Sequence, residues 1–296
     1  MYTTLITAHQ LHELQSQDKP LMVFDCSFDL MQPDWGVQQY LEAHIPGALY
    51  VDLDTYLSSS DPDNAASGGR HPLPVRSDCV HALRRVGFTN DMQAVVYDRN
   101  GNNYCGRLWW IMKWLGHDNV AVLDGGLQAW QDAGYPVESG PHPISQQMDS
   151  GAYAMVDQPF ELNKPLVRLV STDEVAQSLG KGECTLIDSR SAARYRGEEE
   201  LLDPVAGHIP GALNRPFTEN MEADGRFKPT GVLRQEFDAM LDGRDTSRVT
   251  VYCGSGVSAI PNVLAMEIAG LPRPALYGGS WSEWCTTKPE LPVERG

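Results

Sequence analysis

The sequence predicts an α/β protein built from two copies of one parallel-sheet unit. Three observations carry the prediction: a chain of 296 residues, long enough for about two domains; a long internal repeat; and β-rich runs alternating with helix-patterned segments. His44-Ile45-Pro46-Gly47-Ala48-Leu49 returns unchanged as His208-Ile209-Pro210-Gly211-Ala212-Leu213, 164 residues later. AVVYD ending at Asp98 lines up with VTVYC ending at Cys253, and LDGGLQAW from Leu123 lines up with LYGGSWSEW from Leu276. The landmarks keep their order while their offset drifts from 164 to 153, as duplication followed by loop insertions and deletions produces.

Each element follows from its local pattern. Short apolar, β-branched runs predict strands at Met22 to Asp25, Ala94 to Tyr97 and Val120 to Leu123, with helices near Cys79 to Arg85 and Cys105 to Leu115. The second copy repeats this with strands at Thr185 to Asp188, Val249 to Tyr252 and Ala275 to Tyr277. Ser171 and Glu174 have the spacing of a capping box that opens a helix, and Gly270 is placed to end the helix after Cys253. Between the copies, GYPVESGPHPISQQ is rich in Gly, Pro and Ser without apolar periodicity. The expected organisation is a first domain over 1–140, a linker over 141–160 and a second domain over 161–296.

Composition excludes several classes of function. Twenty-three Lys and Arg against 39 Asp and Glu leave a net charge of −16, which repels nucleic acid and anionic lipid, and no basic patch reverses it. The apolar run from Leu108 to Leu115 is broken by Lys113 and falls far short of the roughly 18 residues a membrane span needs. MYTTLITAHQLHELQ lacks a basic segment, an apolar segment and a cleavage site, so a cytoplasmic location is expected, with neither nucleic acid nor membrane as partner. The six cysteines are scattered, with no CxxC and no Cys/His cluster, so neither a disulfide framework nor a structural metal is expected.

Cys253 carries the chemistry. In parallel sheets, reactive groups collect beyond the carboxyl ends of the strands, and Cys253 follows VTVY and precedes Gly254-Ser255-Gly256-Val257-Ser258-Ala259 and a helical segment. Glycines let such a loop turn inward and aim several N–H groups at one sulfur, and a helix N-terminus adds its dipole; both favour thiolate over thiol. Cys26 and Cys105 have no such loop and read as structural. Asp98 occupies the equivalent place in the first copy and cannot carry transferable sulfur, so that half is expected to be catalytically silent.

CGSGVSA at 253 to 259, the two HIPGA segments, HPLP at 71 to 74 and GGSWSEW together resemble the two-domain rhodanese-type sulfurtransferases, over nearly the whole chain. The loop is similar to that of the mercaptopyruvate branch; thiosulfate-preferring members usually carry basic residues after the cysteine, and none follows Cys253. The resemblance implies two tandem rhodanese-like domains, each a mostly parallel sheet with helices on both faces. It implies no cofactor and a persulfide on Cys253, with sulfur taken from 3-mercaptopyruvate, a small anionic donor, and passed to cyanide, a thiol or thioredoxin. Pyruvate is then the first product.

The same resemblance suggests roles for other residues. Arg194 stands where the family has its substrate-binding arginine, and Gly254, Gly256, Val257 and Ser258 complete the cradle around the donor. Ser255, His71 and Asp54 match a Ser-His-Asp relay for proton movement, with His71 and Asp54 drawn from the first domain. The branch's second arginine, in a Pro-Glu-Pro-Arg segment, has no counterpart in EEELLDPVAGH; Arg190 and Arg196 lie nearby at other spacings. Where the family often has His soon after the loop, this chain has Ile260-Pro261, and proline fits a helix only in its first turn.

Plainer readings stand beside these. Ser255 can be a loop hydroxyl bonded to nearby backbone, and Arg194 a surface ion-pair partner of Glu198 to Glu200. His44 and His208 open identical turns in both copies, which favours a structural hydrogen bond. Trp281 and Trp284 read as core or pocket wall. Thiosulfate:cyanide sulfur transfer and a non-enzymatic sulfur-carrier or interaction module are the alternative functions. A cysteine phosphatase needs an arginine at the far end of its loop to grip phosphate, and position 259 is Ala.

Overall fold

The computed structural model describes residues 1–17, 19–142, 156–287 and 290–296. The chain forms two compact units, one of 1–60, 74–166 and 224–226, the other of 61–73, 167–223 and 227–296. Residues 61–73, read from the sequence as part of the first copy, therefore pack with the second. The linker expected over 141–160 falls largely on 143–155, outside the described residues, and 160–166 pack on the first unit, where Asn163 N–H donates to the Leu115 carbonyl and Leu166 N–H to that of Lys113.

The first unit contains β1 (Leu5–Ile6), α1 (Ala8–Gln15), β2 (Leu21–Asp25), α2 (Trp35–Glu42), β3 (Leu49–Tyr50), α3 (Leu53–Tyr56), α4 (Arg76–Arg85), β4 (Gln93–Tyr97), α5 (Cys105–Trp114), β5 (Val120–Leu123) and α6 (Gly126–Asp132). Its sheet has the order β1-β5-β4-β2-β3, with every neighbouring pair parallel. The second unit contains β6 (Leu169–Val170), α7 (Thr172–Ser178), β7 (Thr185–Asp188), α8 (Ala192–Arg196), β8 (Leu213–Asn214), α9 (Thr230–Leu241), β9 (Val249–Tyr252), α10 (Ile260–Ile268), β10 (Ala275–Tyr277) and α11 (Ser280–Thr287). Its sheet, β6-β10-β9-β7-β8, is also parallel throughout and repeats the first strand for strand.

The central strands behave as their composition requires. Every residue of β4 and of β9 is buried, as expected of a parallel strand covered on both faces. The edge strands β1, β3, β6 and β8 are two residues each, too short to leave a pattern in the sequence. Ser171 and Glu174 form the capping box of α7, and Gly270, at a φ of 69°, lies just beyond α10. Pro261 sits in the first turn of α10.

The repeated His-Ile-Pro-Gly turn explains its own duplication. His44 Nδ1 lies 2.7 Å from the Tyr40 carbonyl and its ring stacks on Tyr40; His208 does the same on Tyr195, also at 2.7 Å. Ile45 N–H donates to the Tyr97 hydroxyl and Ile209 N–H to that of Tyr252, each at 3.1 Å. Gly47 N–H and Gly211 N–H donate to Glu138 and Glu294. In each unit these bonds pin one turn beneath a core that contains the same tyrosine.

Candidate active site

In the second sheet the chain runs from β7 outward to β8, returns across β7 to β9, and continues to β10 on the other side. Connections that leave β7 and β9 in opposite directions open a crevice beyond the carboxyl ends of those two strands, where ligands of open α/β sheets bind. Cys253 is the first residue after β9 and is buried, 2% exposed. Residues 253–259 then lead into the N-terminus of α10.

The sequence of this loop follows from what surrounds it. Gly256 has a φ of 75°, and a side-chain carbon there would come within 2.2 Å of the Gly278 carbonyl oxygen, so only glycine fits. Val257 is buried and its carbonyl accepts from Ile260 N–H, while Ser258 is partly exposed. Cys253 N–H donates to Ser280 Oγ at 3.1 Å, and the Cys253 and Gly254 carbonyls accept from Trp281 N–H and Ser282 N–H. Ser280 holds a φ of 54°, a left-handed conformation costly for a residue with a side chain, and opens α11 just as Gly126, at 59°, opens α6. Its role had no signal in the sequence, because it depends on backbone conformation.

His71 and Ser255 are brought together: Nδ1 lies 2.7 Å from Oγ, both residues are buried, and both belong to the second unit. This corrects the expectation that His71 comes from the first domain; the segment that carries it is tied to α11 by Gly68 N–H to Glu283 and by Arg70 N–H to Ser282 Oγ. Asp54 lies in the first turn of α3 in the first unit, where burial, and after it the neighbouring Asp52 charge, raise its carboxyl above the ordinary value.

Arg194, on α8, takes a less exposed position than that of a surface ion-pair partner. Its Nε and Nη2 donate to Glu200 at 2.8–3.1 Å, and Nη2 also reaches Asp203 at 3.1 Å. Both carboxylates are buried, 4% and 2% exposed. Burial pushes the Glu200 carboxyl up, but the Arg194 hydrogen bonds, the Leu202 and Asp203 N–H groups and the Arg194 charge outweigh it, leaving the group below its ordinary value. A side-chain carbon on Gly254 would lie 3.5 Å from Arg194 Nη1 and 3.1 Å from Arg70 Nη2. Arg70 was not singled out in the sequence.

Neither alternative second arginine is available. Arg190 is locked under the crevice by Asp188, Glu200 and the Gly207 carbonyl, with its guanidinium 4.7 Å from the centre of the Trp281 ring; Arg196 pairs with Glu198 at the surface. Trp281 and Trp284 are fully buried, their indole N–H groups donating to the Val205 and Pro292 carbonyls.

The first unit has the same loop filled from within. Asp98 stands where Cys253 does, and its carboxylate accepts N–H bonds from Asn100, Asn102, Tyr104 and Cys105 at 2.8–2.9 Å. Burial raises this carboxyl, and the four N–H groups pull against the rise. Cys26 and Cys105 are buried beside it, and burial pushes both thiols well above their ordinary range.

Comparison with known proteins gives the same picture over the whole chain. The Rhodanese-like domain family matches twice, at residues 7–133 and 171–287. A Pseudomonas aeruginosa protein named "Probable 3-mercaptopyruvate sulfurtransferase" is 41% identical over 293 residues, covering 99% of this chain and 98% of its own. The thiosulfate sulfurtransferase of Gallus gallus is 32% identical over 267 residues, 89% of this chain and 86% of its own. Among solved structures, SseA from Escherichia coli, described under the "Rhodanese" fold of 3-mercaptopyruvate sulfotransferases, superposes with a TM-score of 0.75 at 31% identity, covering 95% of this chain and all of that one.

Proposed function

The chain belongs to the rhodanese-like family and is a sulfurtransferase, and from that premise we propose that Cys253 carries sulfur from 3-mercaptopyruvate to a thiol, thioredoxin or cyanide. The observation that carries this reading is the placement of Cys253 at the carboxyl end of the central strand, in a glycine-shaped loop with two guanidinium groups beside Gly254.

In the first half-reaction the Cys253 thiolate attacks the donor's sulfur. A sulfur–sulfur bond forms, the carbon–sulfur bond breaks, and its electron pair stays on carbon as the enolate of pyruvate. The proton from the donor's S–H ends on the pyruvate methyl, leaving an anionic persulfide. The loop N–H groups and the start of α10 favour that charge. In the second half-reaction the acceptor attacks the outer sulfur: cyanide leaves as thiocyanate, a thiol as a persulfide, and the Cys253 thiolate returns.

The Ser255–His71 hydrogen bond supports mercaptopyruvate as donor, because only that donor leaves as a carbon base that must be protonated. Asp54 is proposed as the carboxylate of the relay on the resemblance alone. Thiosulfate remains the second reading: it is also an anion, and the Gallus gallus relative is named for it. No helix among the described residues is long and apolar enough to cross a membrane. The proposed cytoplasmic location is supported by the six cysteines, which are all free.

The test is sulfur loading. After incubation with mercaptopyruvate, the peptide containing Cys253 should gain about 32 Da, one sulfur atom, and Cys253→Ser should abolish both the gain and thiocyanate formation. An unmodified Cys253 with either donor rules the proposal out.

A further inference from the structure

We infer that Ser189 and Asn262 are positioning residues for sulfur transfer: together they hold both ends of the Cys253 loop and so fix the direction of its N–H groups. The inference rests on the proposed role of Cys253 and adds to it the residues that keep the loop in shape.

Ser189 is the first residue after β7, and it bonds to the chain on both sides of the loop. Its N–H donates to the carbonyl of Tyr252, the residue just before Cys253, at 2.8 Å. Its Oγ accepts from Asn262 Nδ2, in the first turn of α10, at 2.8 Å. Asn262 is held in turn: Nδ2 also donates to the Arg215 carbonyl at 2.9 Å, and Oδ1 accepts from Asn220 Nδ2 at 2.6 Å. Arg215 N–H donates to the Asp188 carbonyl, which returns the network to the end of β7. Ser189, Asn220 and Asn262 are fully buried. Apolar side chains would fill such a place at a lower desolvation cost, whereas a buried polar network with its bonds made fixes one arrangement.

The first copy lacks this arrangement. Asp25 ends β2 as Asp188 ends β7, so Cys26 corresponds to Ser189, and the offset that pairs Asp98 with Cys253 pairs Arg107 with Asn262. The bond at the entry to the loop is kept, with Cys26 N–H donating to the Tyr97 carbonyl at 2.8 Å. The bond at the exit has no equivalent: Cys26 carries a thiol where Ser189 carries a hydroxyl, and Arg107 Nε donates to the Leu57 carbonyl. There the Asp98 carboxylate gathers the loop from within, through four N–H groups. Cys253 brings no carboxylate, and the Ser189–Asn262 bond holds the second loop from outside. N–H groups favour a charge on sulfur only while their directions are fixed, so release of one end of the loop weakens all of them.

The experiment measures, across pH, the rate at which iodoacetamide alkylates Cys253 in the full chain, read by mass spectrometry on its peptide, with melting temperature recorded for each protein. Ser189→Ala keeps the backbone bond to Tyr252 and removes the bond to Asn262. It should move the midpoint of the alkylation profile to higher pH, with the rate below the midpoint falling roughly three- to tenfold and the plateau at high pH unchanged. Asn262→Leu should do the same, and Ser189→Thr, which keeps the hydroxyl, should follow the wild type. An unchanged profile in Ser189→Ala, whatever its melting temperature, overturns the inference, as does a loss of equal size at every pH. Failure of the proposed function is a separate result: it shows in the wild type as an absence of sulfur on Cys253 after incubation with mercaptopyruvate, whereas alkylation needs no donor.

Discussion

His71 and Ser255, two residues from Cys253, share a hydrogen bond of 2.7 Å, and in the proposed reaction the value of that bond depends on which donor is used. Mercaptopyruvate must have its carbon leaving group protonated, whereas thiosulfate departs as sulfite without that need. His71→Ala and Asp54→Ala should therefore slow mercaptopyruvate turnover by about a hundredfold or more and thiosulfate turnover much less, measured as the ratio of kcat/KM for the two donors. Intact mercaptopyruvate kinetics in both variants would reduce Ser255 to a loop hydroxyl. The residues of this site were unequally legible. Cys253 announced itself through its glycine-rich loop, while Arg70 did not, because nothing near position 70 shows that the chain returns to meet Asp203.

At the scale of elements, Glu200 ties α8 to the end of β7. Its carboxylate accepts from Arg194, from Arg190 and from the N–H groups of Leu202 and Asp203, and so orders the segment that carries Asp203. The folded protein holds this carboxyl below its ordinary value, so its contribution to stability is fully present above the unfolded value of about 4.3 and is lost as pH falls through the lower folded value. Glu200→Gln should lower the melting temperature at pH 7, on the order of a few degrees, and the gap from wild type should close below pH ~4. A gap independent of pH would mean that the carboxylate's charge has no part in holding the segment. The central strands were readable at this scale, since β5, β7, β9 and β10 begin and end at the residues their apolar runs predict. The edge strands were not: two residues of pairing are decided by the neighbouring strand.

Over the whole molecule, two sheets of identical strand order carry two versions of one loop, opened by Asp98 in the first and by Cys253 in the second. Asp98 fills its loop with its own carboxylate, and Cys26, Cys79 and Cys105 are buried, with burial pushing each thiol up; that of Cys79 reaches about 12. The cysteines of the first copy should therefore take up no sulfur, read as no gain of about 32 Da on the peptides that contain Cys26, Cys79 and Cys105 after the native protein is incubated with donor. A stable gain on any of them, surviving in Cys253→Ser, would contradict the silence of the first copy.

By itself the sequence determined the duplication, the α/β class, the positions of the central strands and the cysteine of the glycine-rich loop, because each is written in local pattern or in self-similarity. Tertiary structure alone decided that 61–73 pack with the second unit, that Asp203 faces two arginines, and that Ser280 caps Cys253 from a left-handed backbone. The physical reason is distance along the chain. Hydrophobic period and turn chemistry act over a few residues, whereas a hydrogen bond between positions 70 and 203 exists only after the sheet has closed the gap between them.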